Sequence, residues 1–269
     1  MIFKVMSFNV RGSFHDEDGV NAWDKRCALN ITTIKSHNPD IIGFQEAQTG
    51  NIIDYEKHLS EYTIEQGLIS IRQTERRHYV PIYYRTDRFE KVTSGGFYLS
   101  ETPDVWSIGW NAIYPRAVTW IILHDNMAHQ DLLVLNTHYN HEQDNLQSRS
   151  ESSRLIIDQL VGHANHLPRL VMADFNALPD SEAYQIFIDH GFQDTFTLAG
   201  CSGDHKTVHA FQAEAFPHKS ARIDWILLDN TDQRLDVQSF HIIKDHQHPV
   251  YPSDHYPIMT QLEWTTNHA

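Results

Sequence analysis

The feature that most restricts the fold is a series of short strand-like runs that stop on polar side chains. The runs read "IFKVMSFNV", "DIIGFQE", "YVPIYYR", "AVTWIIL", "DLLVLNTHY", "RLVMADFN", "RIDWILL", "VQSFHII" and "PIMTQLEW". They are rich in β-branched and aromatic residues, and turn formers flank many of them. Helical periodicity fills some of the intervals. From Asn21 to His37, the residues Trp23, Cys27, Ile31 and Ile34 form one apolar stripe. From Asn145 to Ala164, the residues Ser153, Ile156, Ile157, Leu160 and Ala164 form another. A third, short helix is expected after Pro179, with Asp180 or Ser181 as its cap. Strands and helices mix without strict alternation, which points to mixed sheets with helices outside and away from a parallel barrel. No repeat, low-complexity tract or proline-rich linker interrupts the chain, so residues 1–269 read as a single domain.

The polar strand ends carry the chemistry. One run ends on Asn9 and another on Glu46; His138 follows "LLVLNT", Asp174 and Asn176 follow "LVMA", and Asp224 sits just inside "ARIDWILL". Asp254 and His255 stand immediately before the last strand. Each has an ordinary explanation, since Asp and Asn cap turns. Together they form a set. Asp174 and Asn176, two apart, would share one face of a strand. Glu46 and Asp254, with the oxygen-bearing Asn9, make a hard-oxygen group of the kind Mg²⁺ prefers. His138 and His255 titrate near neutrality, and Asp224 could fix the tautomer of one of them. That inventory suits metal-assisted phosphoryl chemistry.

The same segments, "MSFNVRG", "IIGFQEA", "NTHYNH", "MADFNALPDSEAY", "ARIDWILL" and "SDHYPI", resemble in order and spacing the motifs of the endonuclease/exonuclease/phosphatase superfamily, from Ser7 to about Ile258. The resemblance implies a four-layer α/β sandwich: two mixed sheets face to face, flanked by helices, with the active site at one end. It implies that Glu46 binds a catalytic divalent ion, Mg²⁺ or in its place Mn²⁺, with Asn9 and Asp254 close by. Asn176 would hold the phosphate or the attacking water, and Asp174 would orient or deprotonate that water. Asp224 would pair with His255, itself either the general base or a phosphate ligand. His138 would stabilise the pentacovalent phosphate or protonate the leaving group. Arg116 would neutralise a phosphate oxygen or, alternatively, form a surface salt bridge. The family usually has glycine where this chain has Ala173, a substitution that matters only if the backbone there needs a positive φ.

Subgroup features narrow the substrate. The tryptophan-rich and Pro-x-Trp-x-Asp-Arg segments of phosphoinositide 5-phosphatases are missing. The segment from Ser94 to Trp120 and the later "TVHAFQ" are similar to mostly uncharacterised bacterial members related to the deadenylase and nocturnin branch. A formal net charge of −14 weighs against non-specific binding to duplex nucleic acid, which needs a field of Lys and Arg. The expected substrate is therefore a small phosphorylated molecule or lipid head group. The alternatives are single-stranded nucleic acid cut by a 3′-exonuclease or endonuclease, or a binding module that has lost catalysis. Trp106, Trp110, Tyr114, His209 and Phe211 could frame the substrate or pack the rim of the sandwich.

Other signals are weaker. "HYNHE" and "DHQH" could suggest zinc, but in a chain with 19 histidines close pairs arise by chance. Only Cys27 and Cys201 are present, so no disulfide framework is indicated. No export signal or membrane-length apolar run is visible, which leads to the expectation of a cytoplasmic enzyme with no membrane span and no indicated protein partner.

Overall fold

The computed structural model describes residues 1–71, 77–161, 166–203, 205–217, 221–231 and 233–265. In chain order its main elements are β1 (Ile2–Asn9), α1 (Trp23–His37), β2 (Ile41–Gln45), β3 (Ala47–Gln48), α2 (Thr49–His58), β4 (Tyr62–Glu65), β5 (His78–Tyr79), β6 (Ile82–Arg85), β7 (Phe89–Tyr98) and β8 (Ala117–Asp125). Then come β9 (Gln130–His138), α3 (Leu146–Val161), β10 (Arg169–Asp174), α4 (Glu182–Asp189), β11 (Gln193–Asp194), α5 (Thr195–Leu198), β12 (Asp224–Asp229), β13 (Leu235–Ile242) and β14 (Ile258–Trp264).

Among the described residues, two six-stranded mixed sheets form, in the orders β13-β14-β1-β2-β6-β4 and β11-β12-β10-β9-β8-β7. Each sheet contains one parallel pair, β1 with β2 and β9 with β10. The sheets meet through β1, β2, β9, β10 and β12.

Three apolar clusters define four layers. Phe3, Val5, Ile41, Val134, Leu170, Met172, Ile226 and Leu262 fill the space between the sheets. Met6, Phe8, Ile42 and Phe44 on the outer face of the first sheet meet Trp23, Ile31 and Ile34 of α1 and Tyr55 of α2. Val171, Ala173, Trp225 and Leu227 on the outer face of the second sheet meet Ile156 and Leu160 of α3 and Ile186 and Phe187 of α4. The expected sandwich is therefore present, held by the period-two alternation of each strand.

The helices follow their apolar stripes. α1 ends at Asn38, whose left-handed φ of 48° suits asparagine at a helix C-terminus. Ser181 caps α4, its Oγ accepting from the Tyr184 amide at 3.3 Å. Ala164, the last residue of the second expected stripe, lies outside the described residues.

Sequence patterning missed β7 because its middle is exposed and contains Gly95 and Gly96. These read as a turn, yet they lie flat because Trp120 covers one of them. A Cβ at Gly95 would come within 2.7 Å of the Trp120 ring. "YVPIYYR" divides into two strands at Pro81, which has no amide hydrogen to give.

Candidate active site

Strand register builds the site. Asp174 pairs with His138 across the parallel β9–β10 ladder and with Asp224 across the antiparallel β10–β12 ladder. The three side chains therefore stand in one row. In the facing sheet Asn9 pairs with Gln45, and Glu46 follows directly.

Asn9, His138, Asp174 and Asp224 continue the inward-facing positions of their strands, while Glu46 lies just past the end of β2. Along β10 the inward series is Leu170, Met172, Asp174; along β1 it is Phe3, Val5, Ser7, Asn9. Between the apolar interior and the site lies a buried polar layer. Gln45 Nε2 donates to Ser7 Oγ at 3.1 Å and to Asn136 Oδ1 at 2.7 Å. An apolar residue at any of these positions would contribute about 1.5–3 kcal/mol. One end of the interior thus forgoes that contribution.

Left-handed residues follow the strand ends: Arg11 (φ 53°), Glu46 (φ 59°) and Asn176 (φ 48°). Such conformations cost about 1–3 kcal/mol each and cluster where function requires them. Asn176 is therefore not on the strand, as simple alternation suggests. Its amide turns back to donate to Asp174 Oδ1 at 2.9 Å, and its Nδ2 donates to the Tyr139 carbonyl at 3.2 Å. Phe175, between the two, is buried and stacked on Trp225 at 4.2 Å. Ala173 is buried in ordinary strand pairing, so no glycine is needed there.

The charges are arranged in a chain. His255 Nδ1 lies 3.0 Å from Asp224 Oδ2, and His255 Nε2 lies 3.8 Å from Asp174 Oδ2. His138 Nε2 faces the same Asp174 oxygen at 3.4 Å. Burial and the repulsion of Asp224 push the Asp174 carboxyl up to about 7. Burial opposes charge on His255, but Asp224 and Asp174 outweigh it and hold His255 well above the usual histidine range. Burial and the Arg116 charge hold His138 well below that range, so it is neutral.

On the other side, Asn9 Nδ2 donates to Glu46 Oε1 at 3.1 Å and to Asp174 Oδ2 at 2.9 Å, while its Oδ1 accepts from the Arg11 amide. Asn9 thus spaces the two carboxylates, and its Oδ1 is hydrogen-bonded to the turn that follows β1. Burial and the nearby Glu46 raise the Asp254 carboxyl. Glu46 and Asp254 form a concentration of carboxylate that Arg11, 3.9 Å from Asp254, only partly offsets. That donor set fits a hard divalent cation. Asp174, Asp224 and His255 also bring ligand atoms within 4.8 Å of one another. There, however, the His255 nitrogen nearest Asp224 is already hydrogen-bonded.

A polar cavity of about 380 Å³ opens over these groups. Glu46, His138, Asp174, Asn176 and His255 line it, as does Arg116. Among the described residues Arg116 is not in a surface salt bridge: its Nη2 donates to His141 Nδ1 at 3.0 Å, and its Nε is buried with no hydrogen-bond partner. A desolvated guanidinium without a carboxylate is a ready anion site. Arg116→Ala is expected to lower kcat/KM about 10- to 100-fold, mainly through KM, a loss suited to one charged hydrogen bond; steady-state kinetics would read it.

Sequence reasoning missed Arg11, His78 and the structural partner of Arg116, His141, which it weighed only for zinc. All three line the cavity. Trp110 and Phe211, expected at the substrate, do not. Trp110 packs against the outer cluster of the second sheet, and its carbonyl accepts from Asn145. Phe211 stands edge-on to His209, which is buried on the Tyr256 ring at 4.0 Å. Of the expected aromatics, Tyr114 lines the cavity, its ring stacked on His141. In "DHQH", Asp245 bonds to His37 and His246 stacks on Tyr251, and among the described residues the segment joins no metal-ligand cluster.

A model of the Endonuclease/Exonuclease/phosphatase family matches residues 6–255. The uncharacterized protein L388 of Acanthamoeba polyphaga mimivirus is 34% identical over 114 residues, which is 40% of this chain and 41% of that protein. Among solved structures, an endonuclease/exonuclease/phosphatase from Bacteroides vulgatus is 28% identical with a TM-score of 0.88, over 98% of this chain and 100% of that one. The mannosyl-6-phosphatase of Bacteroides thetaiotaomicron is 26% identical with a TM-score of 0.85, over 97% and 100%. The human nocturnin catalytic domain, at 20% identity and TM-score 0.77 over 98% and 95%, shares the fold.

Proposed function

The chain belongs to the endonuclease/exonuclease/phosphatase family, whose members are phosphoester hydrolases, and from that premise we propose a divalent-cation-dependent hydrolase of small phosphorylated molecules, phosphate esters of sugar-like alcohols first among them. One observation carries the reading. A row of His138, Asp174 and Asp224 faces Glu46 across a small polar cavity whose half-buried Arg116 has no carboxylate partner among the described residues. The cavity is of ligand size. Its wall of Tyr114 stacked on His141 offers a flat face to a ring. The likeness to a mannosyl-6-phosphatase supports a sugar phosphate.

Glu46 and Asp254 would hold Mg²⁺ or Mn²⁺, which would polarise the phosphoryl group. Asp174, titrating near neutrality, takes the proton of the attacking water. His255, charged and fixed by Asp224, presents Nε2 to the phosphoryl oxygens. Asn176 and Arg116 orient those oxygens. His138, being neutral, steadies the transition state by hydrogen bonding, and the leaving alkoxide takes its proton from solvent water.

The sign of the pH dependence follows. The base is Asp174 in its ionised form, so kcat/KM should fall tenfold per pH unit below about 7. A bound cation favours the ionised form, so raising Mg²⁺ should move this limb to lower pH. A pH–rate profile at two Mg²⁺ concentrations checks both.

The deciding experiment incubates the protein with Mg²⁺ or Mn²⁺ and sugar phosphates, phosphodiesters, nucleotides and single-stranded RNA, with and without EDTA. EDTA-sensitive phosphate release from sugar phosphates is expected. Asn176 and His141 also border a second, more apolar groove of about 760 Å³ with Leu146, Leu178 and Ile223. This leaves room for a second substituent. Degradation of RNA without action on small esters would favour the nuclease reading instead.

A further inference from the structure

We propose that Arg26 is a positioning residue for the divalent-cation site, an inference that rests on the functional reading above. Arg26 is fully buried, on the face of α1 turned toward the site. It forms no salt bridge with a carboxylate among the described residues. All of its hydrogen bonds go to backbone carbonyls. Its Nε donates to Asn21 O at 2.8 Å, Nη1 to Pro252 O at 2.8 Å, and Nη2 to Arg11 O at 2.7 Å and Gly12 O at 2.8 Å.

These carbonyls belong to three stretches of chain. One is the turn after β1, which carries Arg11 beyond Asn9. Another is the segment that leads into Asp254. There Ser253 Oγ donates to Asn9 O at 2.7 Å, joining the two. Asn30, one turn along α1, donates to the same Pro252 carbonyl at 3.1 Å and is itself held by Tyr55 at 2.9 Å. The first of these turns is tight as well. Gly12 has φ 40°, and a Cβ there would meet Gln48 Oε1 at 2.6 Å.

A buried cation without an ion-pair partner is expensive unless its donors are satisfied. Here backbone satisfies them, so the charge remains available to the carboxylates beyond. The long-range field of Arg26 falls on Asp254 and Asp18. Arg26 therefore does two things: it fixes the distance between the Asp254 segment and the Asn9–Arg11 turn, and it offsets the crowding of Glu46 and Asp254. A lysine keeps the charge but reaches from a single point, so it cannot span three segments.

The test measures Mn²⁺ binding to metal-free protein by calorimetry, with activity against Mn²⁺ concentration alongside. Arg26→Lys should weaken Mn²⁺ binding at least tenfold, while kcat at saturating Mn²⁺ stays within about threefold of wild type. Asn30→Ala, which removes one bond to Pro252, should weaken binding two- to fivefold and decides the matter if Arg26→Lys does not fold. Arg88→Lys is the control. Arg88 is also buried, but it pairs with Asp125 at the opposite end of the sandwich; its loss should lower Tm and leave Mn²⁺ affinity unchanged. Wild-type affinity in both Arg26→Lys and Asn30→Ala would overturn this inference alone. Absence of Mn²⁺ binding by the wild type would overturn the metal reading and this inference with it.

Discussion

Asp174→Asn should lower kcat by three to four orders of magnitude and, in the metal-free protein, raise Tm. Loss of a general base removes about 10²–10⁴ in rate, and Asp174 also orders Asn9 and Asn176. The stabilisation comes from burial. The Asp174 carboxyl titrates at about 7 in the folded protein, against about 4 in an unfolded chain. Its ionised form is therefore disfavoured by folding. The penalty is absent below about pH 4, grows between about 4 and 7, and is complete above 7. A rise of that size corresponds to roughly 4 kcal/mol at most, so asparagine should gain several degrees at about pH 8 and little at about pH 4.5. Calorimetric melts at the two pH values, with kinetics on the same preparations, check it. A variant with wild-type kcat would remove Asp174 from the base role.

Glu46→Gln is expected to cost at least about 10³ in kcat/KM, because the proposed divalent cation would lose its principal carboxylate. Glutamine can still accept from Asn9 Nδ2, so the packing around Asn9 and Asp174 survives and the substitution isolates the charge. The left-handed backbone at Glu46 is kept, since glutamine is no more strained there than glutamate. Mn²⁺ binding by calorimetry should weaken in parallel, with Tm nearly unchanged. Wild-type turnover in this variant would move the cation elsewhere, the Asp174–Asp224–His255 trio being the obvious alternative.

Much of this site was readable because strand periodicity and chemistry agree. Asn9, His138, Asp174 and Asp224 sit on the inward phase of their strands, and the same alternation that builds the core delivers them to one end. What was hidden depends on contacts between distant segments. His78 lies on a two-residue strand beside Gln48, to which it is hydrogen-bonded. Arg11 reaches the site only because its turn is left-handed. Arg26 lies outside the apolar stripe of Trp23, Cys27, Ile31 and Ile34, yet it is buried, since its partners are carbonyls that no side-chain pattern announces. Trp110 and Phe211 were drawn to the substrate by their aromatic character, and packing claimed them instead. β7 was missed because glycines that make room for Trp120 look like a turn.

The graded interior between the sheets also bears on how such a protein can change its substrate. Cohesion resides at one end, where Phe3 stacks on Trp264 and Arg88 grips Asp125. The candidate active site lies at the other, behind the Ser7–Gln45–Asn136 layer. The loops bearing Tyr114, Arg116 and His141 border the cavity end. They can be exchanged, lengthened or recoloured in charge without loosening what keeps the sheets together, so selection for a new ester acts on a part of the molecule that folding has left free.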